Sequence, residues 1–240
     1  IAGCDPRNRE RARVAEAAYA TFLSGLRPDR VWHSSLFEGW GDDSTVALTS
    51  GMQDRQYIAT LYDLIPLLHP SRHLHDPAYR HWYYRRLALL KRCGLLLALS
   101  ESSRRDAIKN LHIEQERIAV VWGAADAVFA PTPIDADVRA RWQRDLGLRG
   151  GFVLYAGGYD AHKNVDALIE AYASLPRDLR RGHPLLLAGR CGQAERRSLQ
   201  GHAHRAGLGR TEVAFSGEIE DRELARLYSH CSVFVSPSLH

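Results

Sequence analysis

The carboxyl-terminal half of the chain alternates short apolar runs with stretches of helical periodicity. Residues 152–156 form an apolar run that is short enough for a buried parallel strand. Beyond a glycine pair and a polar loop, apolar residues recur at helical spacing from Val165 to Tyr172. Three more strands are predicted with helices between them, at residues 185–189, 213–215 and 233–235. The pattern from residue 151 therefore predicts an α/β domain built on a doubly wound parallel sheet.

The amino-terminal half alternates less regularly. Apolar spacing predicts helices over residues 7–26 and 76–93, the second with Pro77 at its first position and Gly94 at its end. Short strands are predicted at residues 30–35, 46–49, 57–61, 95–99 and 118–122.

Prolines mark two interruptions of the pattern. Pro66 and Pro70 are expected to prevent a regular element between residues 62 and 70. Pro131 and Pro133 are expected to stiffen a boundary, after which the pattern restarts. The chain is accordingly divided into two predicted domains, residues 1–130 and 131–240.

The carboxyl ends of the predicted parallel strands are the first candidate site, because ligands of such sheets bind there. These ends are Gly157-Gly158, Gly189, Gly217-Glu218 and Ser236-Pro237. Glycine lets the backbone approach a ligand closely. Lys163 and Asn164 stand just before a predicted helix, whose N-terminus suits a phosphate or diphosphate. The alternative is an ordinary turn with a surface lysine, since the pattern is neither a Walker loop nor a Gly-x-Gly-x-x-Gly fingerprint.

Composition excludes several classes of protein. The chain is 45% hydrophobic and 25% charged, as ordinary globular domains are, with a formal net charge of +4. Lysine occurs only at positions 91, 109 and 163, so 29 of the 32 basic residues are arginine. No basic block carries interleaved aromatic residues, so nucleic acid is not an expected partner. Cys4, Cys93, Cys191 and Cys231 are scattered and are expected to be reduced, cytosolic thiols.

The sequence gives only weak indications of membrane contact or metal binding. The apolar run at residues 93–99 is too short to span a bilayer. The predicted helix at 76–93 has a basic face, which could lie on an anionic membrane or simply be solvated. That face comprises Arg80, Arg85, Arg86, Lys91 and Arg92. The histidines at 69, 73, 75 and 81 lack metal-ligand spacing, so no metal site is expected.

Six segments in order resemble retaining glycosyltransferases of family 4, or group 1, which have the GT-B fold. They are residues 34–43, 62–70, 99–106, 120–129, 155–164 and 215–217 continuing to 234–240. The first two are most similar to bacterial mannosyl- and rhamnosyltransferases of O-antigen and exopolysaccharide synthesis. The resemblance implies two Rossmann-like domains facing a cleft, with an acceptor-side domain first and a nucleotide-sugar-binding domain second.

On the donor side, the resemblance implies that Gly157 and Gly158 approach the diphosphate of a nucleotide sugar, together with Asn164. Lys163 would be the catalytic residue, because its charge stabilises the diphosphate as it leaves. The nucleotide would be flanked by Gly189 and Gly217, with its base against Glu218 and Ile219. No cofactor and no metal are implied.

On the acceptor side, Phe37, Glu38 and Gly39 would help line the pocket, and Ser100 and Ser102 would lie across the cleft from the donor. Many relatives have a histidine before the aspartate that matches Asp63, near the transferred sugar. Here that position is Tyr62, and relatives also often have an arginine at Gly158.

The resemblance also predicts that the chain is the middle of a longer protein. It begins at Ile1 rather than Met, and the amino-terminal domain lacks the family's first strand and glycine loop. Relatives continue from the position of His240 into Glu-Gly-Phe-Gly-Leu-Pro and a Glu-x7-Glu motif, which contacts sugar and ribose.

The expected function is transfer of a hexose, best matched by mannose from GDP-mannose, to a saccharide or lipid-linked acceptor with retention. The expected location is the cytoplasm, with peripheral contact to the inner face of an anionic membrane as an open possibility. The main alternative is a catalytically degenerate nucleotide-sugar-binding domain that acts as a partner subunit. A sugar-phosphate epimerase or a phosphorylase on the same architecture is a weaker alternative.

Overall fold

The computed structural model of the chain describes residues 6–42, 44–49 and 52–239. Two compact units divide between Ala124 and Ala125, each containing a four-stranded parallel sheet. The predicted α/β class is therefore confirmed. The division lies a few residues before the predicted boundary at 130/131, and the roles of the two domains stay a prediction. Cys4, Asp43 and His240 lie outside the described residues.

The sheet of the amino-terminal unit has the order β1-β2-β3-β4. Its strands are β1 Val31–His33, β2 Tyr57–Leu61, β3 Leu95–Ala98 and β4 Ile118–Val120. Its helices are α1 Pro6–Leu26, α2 Ile65–Leu68, α3 Pro70–His73, α4 Pro77–Arg92 and α5 Glu101–Asp106. A π-helical turn, Ala107–Leu111, continues α5. Tyr57, Leu61, Leu90 and Leu96 are fully buried between the sheet and the helices.

Two predictions of secondary structure in this unit were wrong. Residues 46–49 form no strand; Thr49 instead donates its backbone N–H to the hydroxyl of Tyr57, which holds the segment as a loop. The prolines at 66 and 70 begin short helices rather than preventing them, because each lies in the first turn of α2 or α3. A first-turn N–H has no partner within the helix, so a proline there loses nothing.

Arg86 was wrongly placed on a solvated basic face of α4. Its side chain is buried, and its guanidinium donates to the backbone carbonyls of Val46 at 2.8 Å and Glu38 at 3.1 Å. It also lies over the ring of Trp82, 5.5 Å from the centroid. Burial lowers the pKa of Arg86. A buried cation is retained only where it is hydrogen-bonded, so Arg86 holds the loop after β1 against α4.

The carboxyl-terminal unit has the strand order β7-β6-β5-β8, all parallel. Its strands are β5 Val153–Ala156, β6 Leu185–Ala188, β7 Val213–Gly217 and β8 Val233–Phe234. Its helices are α6 Ala136–Leu146, α7 Val165–Ala173, α8 Arg177–Gly182, α9 Gln193–Arg205 and α10 Asp221–His230. The predicted alternation of strands and helices is confirmed.

Helices cover both faces of this sheet. Tyr155 and Leu187 point to one side, where they join the apolar residues of α7 and α9. Leu154 and Leu186 point to the other side, where they pack with α6 and α10. Burial on both faces explains why the strands are apolar without alternation. The predicted doubly wound arrangement is therefore confirmed.

The ends of β5, β6 and β7 are joined by glycine backbone. Gly157 donates its N–H to the carbonyl of Ala188 at 3.1 Å, and Gly189 donates to that of Gly217 at 3.3 Å. Gly189 has φ +135°, and a Cβ there would collide with the carbonyl oxygen of Gly157. Only glycine at position 189 allows this approach.

No helix within residues 6–42, 44–49 and 52–239 is long and apolar enough to cross a membrane.

We expect Arg86→Gln to destabilise the amino-terminal unit by about 3 kcal/mol, because hydrogen bonds from a buried cation are lost and carbonyls stay unpaired. The exposed neighbour Arg85 is the matched control, and Arg85→Gln should change stability by about 0.5 kcal/mol or less. Urea unfolding monitored by circular dichroism measures both. Equal effects of the two substitutions would contradict the buried role of Arg86.

We expect Gly189→Ala to destabilise the carboxyl-terminal unit by about 3 kcal/mol, through backbone strain and overpacking against Gly157. Gly182→Ala is the control, because no atom lies within 4 Å of the added Cβ. Thermal unfolding compares the two variants. A Gly189→Ala protein as stable as Gly182→Ala would show that strands β5 and β6 do not meet this closely.

Candidate functional site

The strand order of the carboxyl-terminal sheet reverses at β5. The chain passes from β5 to β6 and β7 on one side and returns to the other side of β5 as β8. The helices α7 and α9, which follow β5 and β6, lie on one face of the sheet, and α10, which leads into β8, lies on the other. In doubly wound sheets such a switch point leaves a crevice beyond the carboxyl ends of the two strands. The loops after β5 and β8 border it.

These two loops are hydrogen-bonded to each other. The side-chain amide of Asn164 donates to the carbonyl of Pro237 at 3.3 Å. The backbone N–H of Leu239 donates to the carbonyl of His162 at 3.0 Å. The segment at 160–164 and the segment at 235–239 thus form one continuous edge of the crevice.

Lys163 is held at this edge by local structure. A 3-10 turn, Ala161–Lys163, begins after Asp160, whose carbonyl accepts the N–H of Lys163 at 2.8 Å. Asn164 then turns through the left-handed region, and α7 begins at Val165. Lys163 is half-buried, and in the part of the chain that the structure describes it makes no ion pair.

The N-terminus of α7 adds a second source of positive potential. The Asn164 side chain makes no capping bond to the helix. The first-turn N–H groups of α7 are therefore not satisfied by the side chain that normally caps a helix. Such groups and the helix dipole attract anions. Lys163 and α7 together can stabilise a phosphate-like group at the crevice.

Tyr155 was missed by the sequence reading. Its ring is buried within β5, and its hydroxyl donates a short hydrogen bond to the carbonyl of Gly158. Burial raises the pKa of Tyr155, which keeps the hydroxyl protonated as a donor. The signal was present in the sequence, because a tyrosine in an otherwise aliphatic buried strand needs a polar partner. Tyr155 thus fixes the bend that follows β5.

The remaining donor-side residues follow β6 and β7. Gly189 and Gly217 are bonded through their backbones, as described above, and Gly217 adopts φ +69°. Glu218 is exposed beyond this turn, whereas Ile219 packs against the core beside α6 and α10. The structure therefore brings the predicted donor residues to one edge of one sheet.

No three His, Cys, Asp or Glu side chains among the described residues lie close enough together to hold a metal ion. The three described cysteines, Cys93, Cys191 and Cys231, are free thiols.

In the amino-terminal unit, the predicted residues at the ends of β2 and β3 meet through Ser103. Its hydroxyl donates to the carbonyl of Tyr62 at 2.7 Å, and its N–H donates to the hydroxyl of Ser100 at 3.0 Å. Asp63 accepts the N–H of Ile65 at 2.9 Å, and Ser102 is exposed. Ser103 was missed, because a serine in the first turn of a helix gives no sequence signal for such a link.

The predicted residues after β1 lie against α4. The ring of Phe37 is 5.2 Å from that of Tyr83, and Arg86 holds the carbonyl of Glu38. Gly39 has φ +87°, and a Cβ there would collide with the carbonyl of Ser44. Trp40 and Tyr79 extend the same aromatic group, with centroids 5.1 Å apart. This loop is therefore a fixed surface of aromatic side chains.

The chain is similar to known proteins in sequence and in fold. A model of the glycosyl transferases group 1 family matches residues 139–240. The serotype-specific mannosyltransferase WbdA of Escherichia coli is 31% identical over 233 residues, which is 97% of this chain and 29% of that protein. The chain therefore spans less than a third of the length of this relative.

Two solved structures share the fold. One is the crystal structure of WaaG, a glycosyltransferase involved in lipopolysaccharide biosynthesis, with a TM-score of 0.63 and 20% identity. It covers 93% of this chain, which matches 57% of WaaG. The other is Anabaena HepE in complex with UDP, with a TM-score of 0.57 and 20% identity, over 77% of this chain and 47% of HepE.

These matches confirm the resemblance drawn from the six sequence segments, including its GT-B fold and its mannosyltransferase relatives. The family model falls on the domain whose strand ends carry Lys163 and the glycine backbone, whereas the relative and WaaG match nearly the whole chain. Residues 139–240 therefore form a domain of the glycosyl transferases group 1 family.

Proposed function

We propose that the protein transfers mannose from a nucleotide diphosphate sugar to a saccharide or lipid-linked acceptor, with retention of configuration. GDP-mannose is the proposed donor. The observation that carries the proposal is the position of Lys163, at the strand-order reversal and directly before the N-terminus of α7. The mannosyltransferase relative supports the sugar, and the UDP complex of HepE supports a nucleotide diphosphate.

The proposed chemistry is electrostatic. When the bond between the anomeric carbon and the donor diphosphate breaks, the diphosphate takes the electron pair and its negative charge grows. The Lys163 ammonium and the first N–H groups of α7 stabilise that growing charge more than they stabilise the bound donor, and this difference lowers the barrier. They supply the positive charge that a metal ion supplies in other transferases.

The rest of the donor is proposed to lie along the glycine edge of the sheet. Gly157 and Gly158 face the diphosphate, and Gly189 and Gly217 leave room for the nucleoside. Glu218 and Ile219 border the base, with Ile219 fixed by its packing against the core. A Cβ at position 189 would collide with the Gly157 carbonyl, so the strand ends approach closely and leave no room for a side chain at this edge.

The acceptor is proposed to bind the domain of residues 1–130. The loop with Phe37, Glu38 and Gly39 and its aromatic neighbours offers apolar rings to the C–H faces of a sugar. A second group of residues at the ends of β2 and β3 would contact acceptor hydroxyls, namely Tyr62, Asp63, Ser100 and Ser102. Their fixed hydrogen bonds through Ser103 support a preorganised site.

We also propose a cytoplasmic location with peripheral contact to an anionic membrane surface. The basic face of α4 is smaller than the sequence indicated. Arg86 is buried, and Arg92 pairs with Asp54 at 2.8 Å. Arg80, Arg85 and Lys91 remain exposed and would carry this contact.

We expect GDP to stabilise the wild-type protein by about 2.7 kcal/mol at roughly 100 times its dissociation constant. Lys163→Ala should weaken GDP binding by about tenfold or more, since a charge-assisted contact to the diphosphate is lost. A thermal-shift titration with GDP, UDP and ADP measures both effects and identifies the base.

Lys109→Ala is the matched control, because Lys109 is an exposed lysine of the other unit. It should leave GDP binding unchanged. Stabilisation by none of the three nucleotides would contradict the proposal and favour a degenerate domain that acts as a partner subunit.

We expect Gly158→Arg to tighten GDP binding by about tenfold, because it restores a cation that relatives often have at this position. The added Cβ has room, since its nearest neighbour is the Asp160 carboxylate at 3.4 Å. Gly158→Gln is a neutral control of similar length. If calorimetry gives Gly158→Arg the same affinity as Gly158→Gln, the diphosphate does not lie at this loop.

A further inference from the structure

Asn164 has an unusual backbone conformation. With φ 57° and ψ 35° it occupies the left-handed region, as do Arg27 and His112 among the other described non-glycine residues. This conformation is strained for a residue with a Cβ, and asparagine tolerates it better than most. The bend at Asn164 separates the 3-10 turn that carries Lys163 from the start of α7.

The side chain of Asn164 does not cap the helix that follows it, although asparagine at a helix start often does so. Instead of capping α7, its amide N–H reaches the carbonyl of Pro237 at 3.3 Å. The backbone carbonyl of Asn164 accepts the N–H of Leu168 at 3.3 Å. One residue therefore begins α7 and also binds the segment that follows β8.

A second bond joins the same two segments. The N–H of Leu239 donates to the carbonyl of His162, one residue before Lys163. The bonds at Asn164 and at His162 lie on either side of Lys163 in sequence. The backbone of Lys163 is therefore enclosed between two attachments to a different strand end.

We propose that Asn164 is a positioning residue: its side-chain amide fastens the segment after β8 to the loop that carries Lys163 and fixes the direction of the Lys163 ammonium. This inference rests on the proposed function of Lys163. It gives Asn164 a role different from the predicted donor contact, since the side-chain amide is directed at the carbonyl of Pro237. The residue acts on the reaction through Lys163 and does not touch the donor.

The first test is Asn164→Gly, which permits the left-handed bend and removes the side-chain amide. We expect kcat for mannosyl transfer to fall about tenfold or more, because Lys163 is misaligned in the transition state. The donor KM should change by less than about threefold. Amide hydrogen exchange at Val235 and Leu239 should become faster. His112→Gly is the control, because it relieves the strain of the same backbone conformation in the other unit. It should change none of these quantities.

The decisive test combines the substitution with Lys163→Ala. If Asn164 acts through Lys163, then Asn164→Gly causes no further loss of kcat in the Lys163→Ala protein. A full tenfold loss in both backgrounds would overturn the proposal. A raised donor KM with unchanged exchange at Leu239 would also overturn it, because that result indicates direct contact with the donor.

Leu239→Pro supplies an independent variant, since it deletes the second bond by removing the N–H. It should also lower kcat and should be less than additive with Asn164→Gly. If Lys163→Ala itself leaves GDP binding and kcat unchanged, the proposed function fails. If Lys163→Ala has its effect while Asn164→Gly and Leu239→Pro alter neither kcat nor exchange, only the positioning role fails.

Discussion

In the carboxyl-terminal sheet, β6 and β8 pair with opposite sides of β5, so the chain must leave β5 in one direction and return on the other. This requirement places α7 and α9 on one face and α6 and α10 on the other, and each set buries its own apolar cluster. The crevice between the loops after β5 and β8 is a consequence of that burial. Helix packing therefore determines where a ligand can enter.

Within that crevice, backbone groups are brought together by features that lack charge. Gly189 touches the carbonyl of Gly157, the hydroxyl of Tyr155 holds the carbonyl of Gly158, and Asn164 binds the carbonyl of Pro237. Each satisfies or orients a carbonyl, so the N–H groups of α7 and the Lys163 ammonium would be left to bind the proposed diphosphate. This arrangement, in which carbonyls are paired within the protein while N–H groups and a lysine remain, is consistent with electrostatic catalysis by a preorganised site.

The sequence was sufficient to predict the order of strands and helices in the carboxyl-terminal unit, because buried parallel strands and amphipathic helices have distinct periodicities there. Prediction from the sequence failed where a contact with a residue distant in sequence determines the local structure. The segment at 46–49 has the composition of a strand, yet Arg86 and Tyr57 hold it as a loop. Arg86 itself reads as a surface cation on α4, since helical spacing cannot show that the loop after β1 covers it. The bond between Asn164 and Pro237 joins residues 73 positions apart, which periodicity does not reveal.

Hydrogen–deuterium exchange of the protein with and without GDP tests directly whether a donor diphosphate binds at the strand-order reversal. We expect slower exchange of the first-turn amides of α7, which begins at Val165, because these amides would donate hydrogen bonds to the diphosphate. Exchange in the segment at 235–239 should also slow, because the bound diphosphate would hold that segment in place. Protection confined to other parts of the chain, with these amides unchanged at saturating GDP, would contradict the proposal.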